Sequence, residues 1–226
     1  MVIEIPELLG KADVRAIRAQ LEAADWHDGR GTAGHRAISV KSNLQLSLDD
    51  PLAQELGTRL VQRLGQTPLF IASALPARIM PPRFNRYEDS GAYGNHVDNA
   101  IFAVPGTQTH VRTDLSATIF LSEPDEYDGG ELVIDDLFGE HRVKLTAGHM
   151  ILYPGSSLHR VTPVTRGTRF AAFTWIQSFV AQDQQRRLLF DLDSAIQDLT
   201  ADHPDHGGID TLTNVYHNLL RQWSTT

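Results

Sequence analysis

Residues 94–99 read GNHVDN, and a further histidine, His159, follows a compact turn in YPGSSLHRVTPV. On a β-strand, side chains i and i+2 share a face with Cα atoms roughly 6.5–7 Å apart. His96 and Asp98 can therefore converge on one ion near a strand end while Val97 points the other way. His159 is the candidate third donor, because strands distant in sequence lie side by side in a barrel. Two imidazoles and one carboxylate on one face of a metal leave the opposite positions open, a facial donor set suited to iron(II). HxD alone is equally well explained by two polar side chains on a wet face, so a further residue must decide.

That residue is Arg169, in TRFAAFTWIQSFV (168–180). Strand alternation puts Arg169, Ala171, Phe173 and Trp175 on one face. An arginine facing an apolar interior needs an anion, since a buried unpaired charge is costly. Its guanidinium fork matches a carboxylate in bidentate fashion. A dicarboxylate cosubstrate could thus chelate the metal at one end and meet Arg169 at the other. The alternatives are an arginine at a strand edge in solvent or in a structural salt bridge. Trp175 reads as core. His110, His141 and His149 lie in or beside turns and lack a spacing partner. His203 and His206 read as a polar helix-connecting loop. His27 and His35 sit in the turn-rich stretch 25–36, read as either a lid or a linker.

Elements that would position these residues are legible in the periodicity. Residues 7–24 and 51–65 have helical apolar spacing, with Pro51 and Gly65 as start and stop signals. Short strand-like segments follow at 115–122, 130–136, 141–147, 148–154 and 168–180, most joined by tight turns. The pattern predicts a mainly β fold with supporting helices, a jelly roll of antiparallel strands. The division expected is a jelly-roll domain with N-terminal helices over 1–180 and a C-terminal helical extension over 181–226. In that extension Leu188, Leu189, Leu192, Ile196 and Leu199 form an apolar stripe, which suits either a homo-oligomer contact or packing on the barrel.

Composition removes several classes. The 226 residues contain no cysteine, which excludes disulfides, thiolate metal sites and cysteine nucleophiles. Any metal must be held by His, Asp or Glu. Net charge is -8, and no basic stripe or RNA-binding motif points to nucleic acid. No run of 18 apolar residues suggests a membrane span, and no signal-like segment opens the chain, so a cytoplasmic location is expected.

The pattern NRYxxxxxYxxHVDNA over 85–100, GGEL at 129–132, His159 and Arg169 together resemble the iron(II)/2-oxoglutarate-dependent dioxygenases. Within them the chain is most similar to the prolyl-hydroxylase-like branch and its bacterial PKHD-type hydroxylases, which include iron-uptake-associated members. The resemblance covers nearly the whole chain. It implies a double-stranded β-helix and iron(II) held by His96, Asp98 and His159. It also implies 2-oxoglutarate and O2 as cosubstrates, with Arg169 on the distal carboxylate and Tyr87 assisting, and ascorbate as a reductant. The implied reaction hydroxylates a C–H bond and releases succinate and CO2. Asn95 and Asn99 flank the ligands and would hydrogen-bond around them; Tyr93 is a core ring, a lid residue or a substrate contact. The substrate is a small molecule, siderophore-like or otherwise, or a peptide, and Arg83, Arg86 and Arg112 near the site do not separate these. Rival readings are a cupin-like metal-dependent isomerase or lyase, which needs no arginine, and a non-catalytic metal or 2-oxoglutarate sensor.

Overall fold

A computed structural model describes residues 1–32, 40–104, 106–136 and 139–225. The chain opens with β1 (Ile3–Ile5), then α1 (Lys11–Glu22) with Val14, Ile17 and Leu21 buried. The helix expected over 7–24 is shorter because Glu7 takes a positive φ of 50° and the extended Gly10 caps the helix start. The first residues instead form an edge strand. Next come β2 (His27–Asp28), one 3-10 turn, β3 (Lys41–Ser42) and β4 (Leu44–Gln45). Part of the stretch 25–36, His35 included, lies outside the described residues. Helix α2 (Pro51–Leu64) starts where the Asp50 carboxylate accepts from the Leu52 N–H and Pro51 supplies a fixed first turn. A short α3 (Pro68–Ala74) follows; the prolines around it had masked it in the sequence pattern.

The sheet region begins with β5 (Pro76–Ile79), β6 (Arg83–Tyr87), β7 (Ala92–His96), β8 (Ile101–Ala103) and β9 (His110–Arg112). It continues through β10 (Leu115–Phe120), β11 (Tyr127–Gly129), β12 (Leu132–Asp136), β13 (Gly139–Val143) and β14 (Met150–Pro154). It ends with β15 (His159–Val161), β16 (Val164–Gly167) and the long β17 (Arg169–Ser178). The tail is α4 (Asp183–Asp202) and α5 (Gly208–Trp223). The five strands read from periodicity correspond to β10, β12, β13, β14 and β17.

The larger sheet runs β1-β14-β10-β17-β6-β4-β2, with β5 also paired to β17, and the smaller runs β13-β12-β15-β7-β3. Pairing is antiparallel throughout. The fold is the mainly β, double-stranded β-helix type expected, with helices at both ends of the chain.

The larger sheet is covered on both faces, which explains why β10 and β17 read as nearly continuous apolar runs. Leu115, Ala117 and Ile119 of β10, with Phe170, Ala172 and Ile176 of β17, face one core shared with α1, α2 and α3. Leu56, Leu60 and Leu64 of α2 are fully buried there, each contributing roughly 1.5–3 kcal/mol. The alternate residues face inward. Phe120, Ile134, Ile151 and Val161 build a second core between the sheets, while Ser116, Thr118, Arg169, Ala171, Phe173 and Trp175 line a cavity beside it. The helices thus hold the larger sheet rigid from behind, and its other face is left for chemistry.

Candidate active site

The cavity holds about 570 Å³ and opens between the two sheets. β7 supplies His96 at its last residue, and Asp98 follows just beyond the strand end. β15 pairs with β7 so that His159 lies directly across from His96. Each of His96, Asp98 and His159 brings one ligand atom within 4.8 Å of the others; among the described residues no other group of three such side chains converges this way.

The tautomers of both histidines follow from their neighbours. His96 Nδ1 lies 2.8 Å from the Gly94 carbonyl, and His159 Nδ1 lies 3.0 Å from the Ser157 carbonyl. A carbonyl only accepts, so each Nδ1 carries a proton and each Nε2 is the ring atom turned toward the site. Burial, then the adjacent His159 ring, holds the His96 imidazole down to about 4, so it is a neutral donor at neutral pH. The rings sit 4.2 Å apart, and Tyr93 stacks on His96 at 3.5 Å between centroids. Tyr93 is therefore a wall that fixes the His96 ring plane. Asp98 Oδ2 accepts from Ser116 Oγ at 2.5 Å, and Oδ1 lies 3.9 Å from His159 Nε2. Two imidazole nitrogens and a carboxylate oxygen, oriented by hydrogen bonds on their far atoms, fit a divalent iron.

At the other end of the cavity, Arg169 pairs across the sheet with Tyr87. Arg169 is 1% exposed, yet among the described residues its Nε and Nη2 have no hydrogen-bond partner. Its neighbours are rings: Cζ sits 5.3 Å over Tyr87 and 5.2 Å over Phe120. The guanidinium reaches this position because Gly130, at φ +64°, has no side chain; a Cβ there would stand 3.0 Å from Arg169 Cδ. Burial pushes the Tyr87 phenol up to about 12, with Arg169 pulling the other way, so the hydroxyl stays a neutral donor. Buried donors without acceptors fit an anion that enters with a ligand.

Several residues around the site were not singled out by sequence reasoning. Asn85 Nδ2 donates to the Tyr87 hydroxyl at 3.3 Å, while Asn43 and Gln45 donate to Asn85 Oδ1 at 3.0 and 2.6 Å. Asn85 stands in the NRY triplet already noted, and its every-other spacing from Tyr87 was the available signal. Ser116, Tyr153 and Lys41 also line the cavity; nothing in their local sequence marks them. Asn95 and Asn99 do not bond the three donors. Asn95 accepts from Arg160 at 3.4 Å, and the Asn99 carbonyl accepts from Thr113 at 2.7 Å. Trp175, read as core, is 6% exposed but forms part of the cavity wall.

Comparison with known proteins agrees with this geometry. Residues 82–177 match the 2OG-Fe(II) oxygenase superfamily, and residues 183–225 match the PKHD-type hydroxylase C-terminal domain. A PKHD-type hydroxylase of Parvibaculum lavamentivorans is 58% identical over 226 residues, covering 100% of both chains. One from Bordetella pertussis is 60% identical over 224 residues, covering 99% of each. Among solved structures, a Pseudomonas putida prolyl-4-hydroxylase superposes with a TM-score of 0.53 at 21% identity, covering 78% of this chain and 92% of that one. HygX from Streptomyces hygroscopicus, with nickel, 2-oxoglutarate and hygromycin B bound, gives a TM-score of 0.53 at 15% identity over 79% of this chain and 84% of that one. At such identities the two structures speak for the fold.

Fold and donor set together define an iron(II)- and 2-oxoglutarate-dependent oxygenase. Within that superfamily the chain belongs to the PKHD-type hydroxylases. Among the described residues no helix is long and apolar enough to cross a membrane.

Proposed function

We propose that His96, Asp98 and His159 hold the iron and that Arg169 and Tyr87 hold the distal carboxylate of 2-oxoglutarate. The observation that carries this reading is Arg169: a guanidinium with 1% exposure, two unpartnered nitrogens and the same cavity as the three donors. An isomerase or lyase using the same donors has no use for it.

Each side chain then has a task. The two Nε2 atoms and one Asp98 oxygen would hold the iron. Ser116 and the Gly94 and Ser157 carbonyls fix the donors in orientation, so little rearrangement accompanies binding. Arg169 takes the carboxylate through its fork and Tyr87 donates its hydroxyl to the same group. Ala171, Phe173, Leu132 and Val161 surround the space between with apolar surface that keeps bulk water out. Iron and 2-oxoglutarate, when bound, supply the oxidation, in which O2 is consumed, succinate and CO2 leave, and one oxygen atom enters a substrate C–H bond.

An anaerobic titration of metal-free protein with iron(II), then 2-oxoglutarate, tests the assignment. A saturable visible charge-transfer band at about one equivalent, lost in Arg169→Leu, is the result expected of a chelated cosubstrate. Tight iron binding with no band would sink the cosubstrate assignment.

We assign ascorbate as the reductant that restores iron(II), checked by whether it prolongs turnover. The substrate is a small molecule or a peptide, and the compartment we assign is the cytoplasm, checked by fractionation. The boundary after Val180 is proposed on packing: α4 and α5 pack on each other, and Leu75, Val180 and Leu189 form one small cluster shared with the barrel. Retention of the charge-transfer band after truncation at Val180 would support two units; its loss would argue against them. Leu188, 58% exposed on α4, is the residue to test for self-association, by sedimentation of Leu188→Glu against the parent.

A further inference from the structure

Of Arg83, Arg86 and Arg112, only Arg83 lines the cavity, and the other two have carboxylate partners. Arg86 pairs with Glu88 at 2.7 Å and Arg112 with Asp114 at 2.6 Å. Arg83 differs: among the described residues it makes no hydrogen bond and no ion pair. It opens β6 opposite Phe173, and its side chain lines the same cavity as the three donors and Arg169. Arg83 and Tyr87 lie four residues apart on one strand face, so the two cationic positions are separated by roughly 13 Å along the sheet.

The surroundings of Arg83 are aromatic. Its Cζ lies 5.1 Å over the Trp175 ring and 5.8 Å over Phe102. The Trp175 Nε1–H is itself buried without an acceptor among the described residues. Lys41 lines the same cavity, where burial first and Arg83 second push its ammonium down to about 8. A chain of net charge -8 has therefore gathered positive charge on the wall of one cavity. The two rings, 4.4 Å apart, lie to one side of the Arg83 guanidinium, and its N–H groups are left for an acceptor such as a carboxylate. Val40, Val97 and Leu158, exposed by 43%, 51% and 39%, border the same cavity with apolar surface. Its volume of about 570 Å³ is in the range that holds a drug-sized ligand and exceeds the needs of a five-carbon diacid.

We propose that the substrate hydroxylated here carries a carboxylate that pairs with Arg83 and an apolar or aromatic body that lies against Trp175 and Phe102. The inference rests on the assignment above, because Arg169 must be committed to 2-oxoglutarate for Arg83 to be the substrate's cation. Arg83 is on this view a specificity residue. A free organic acid and a peptide carboxylate offer the same chemistry, and the test separates them.

The test uses full-length protein loaded anaerobically with iron(II) and 2-oxoglutarate. Aryl and alkyl carboxylates, each matched with its neutral amide, are titrated while the charge-transfer band and ligand-observed NMR are followed. N-acetyl dipeptides with free or amidated C-termini form a second arm. Acids are expected to bind at least about tenfold tighter than their amides, as a charge-assisted contact requires. Arg83→Gln should abolish the preference, Arg83→Lys should restore part of it, and the band should form normally in both. Preference in the first arm identifies a free acid, and in the second a peptide carboxylate. Equal binding of acids and amides, no binding in either arm, or an unchanged preference in Arg83→Gln would overturn the inference. Absence of the band in unmutated protein would instead remove the cosubstrate assignment, and this inference with it.

Discussion

Arg169 and Arg186 are both 1% exposed, yet the protein supplies them with acceptors to different degrees. Arg186 sits where α4 leaves the barrel. Its Nη1 donates to the Val180 and Ala181 carbonyls at 2.8 and 2.7 Å, and its Nη2 meets Asp183 at 3.1 Å. Arg169 sits among rings with Nε and Nη2 unanswered. Burial alone does not distinguish a structural arginine from a functional one; the supply of acceptors does. Arg186 clamps a helix to the sheet, and the protein supplies acceptors for both of its Nη atoms, leaving only Nε without one among the described residues. On the proposed reading, the acceptors for Arg169 arrive with a ligand.

The largest expected effect is at Arg169. Arg169→Leu should weaken 2-oxoglutarate binding by about hundredfold or more, the loss typical of truncating a buried charge pair. The apo-protein should melt no lower than the parent, because an unpaired buried charge has been removed. Anaerobic titration reads the first and calorimetry the second. Unchanged 2-oxoglutarate affinity would break the contrast outright.

Arg186→Leu should behave in the reverse sense. It leaves the Val180 and Ala181 carbonyls without a donor and should cost about 2–3 kcal/mol of stability in denaturant unfolding. The folded fraction should bind 2-oxoglutarate with parental affinity. A loss of affinity without a loss of stability would mean that the tail reaches the site.

The metal end gives a smaller test of the same idea, since there the protein does supply the orienting bonds. Ser116→Ala removes the donor to Asp98 Oδ2 and should lower iron affinity about tenfold. Protonation adds a pH signature. His96 titrates near 4 in the fold against an ordinary 6.5, so between these values the unfolded chain binds more protons. Stability of the apo-protein should therefore rise with pH through that window and fall as pH drops from 6.5 toward 4. His96→Gln should flatten the slope in urea unfolding; an unchanged slope would place the titration elsewhere.

How much of this was legible in sequence varies with the distance over which each feature is specified. His96 and Asp98 announce themselves by an i, i+2 spacing. The alternation of β17 correctly put Arg169, Ala171, Phe173 and Trp175 on one face, because period two is a local property of a strand. Helix α2 was bounded by its own Pro51 and Gly65. Strands of two or three residues, such as β1, β3 and β4, carry too few residues to show a period and exist only because a longer strand pairs with them. The partners of the site were hidden for a related reason. Ser116 meets Asp98 through a barrel closure that no local pattern encodes, and Asn43 and Gln45 reach Asn85 only through the β4–β6 ladder. The tail stripe is split in three: Leu189 is buried, Leu188 is exposed, and Leu192, Ile196 and Leu199 are partly covered. Part of that stripe is thus packing, as one of its two sequence readings held.

The finest test concerns Tyr87, which lies on both sides of the contrast. Its hydroxyl accepts from Asn85 Nδ2, a structural bond, and its own proton remains to be donated toward the space in front of Arg169. Tyr87→Phe keeps the ring under the guanidinium and removes only the oxygen. If the hydroxyl serves the cosubstrate, 2-oxoglutarate affinity should fall about fivefold, the worth of one hydrogen bond near 1 kcal/mol. The melting temperature should then move little, because the Asn85 Nδ2 bond that is lost is long at 3.3 Å and Asn85 Oδ1 keeps both of its donors, Asn43 and Gln45. If the hydroxyl serves only the amide network, the order reverses: the melting temperature falls and affinity stays. Measuring both on one variant places the line between the part of the sheet that is satisfied by the protein and the part left for the ligand.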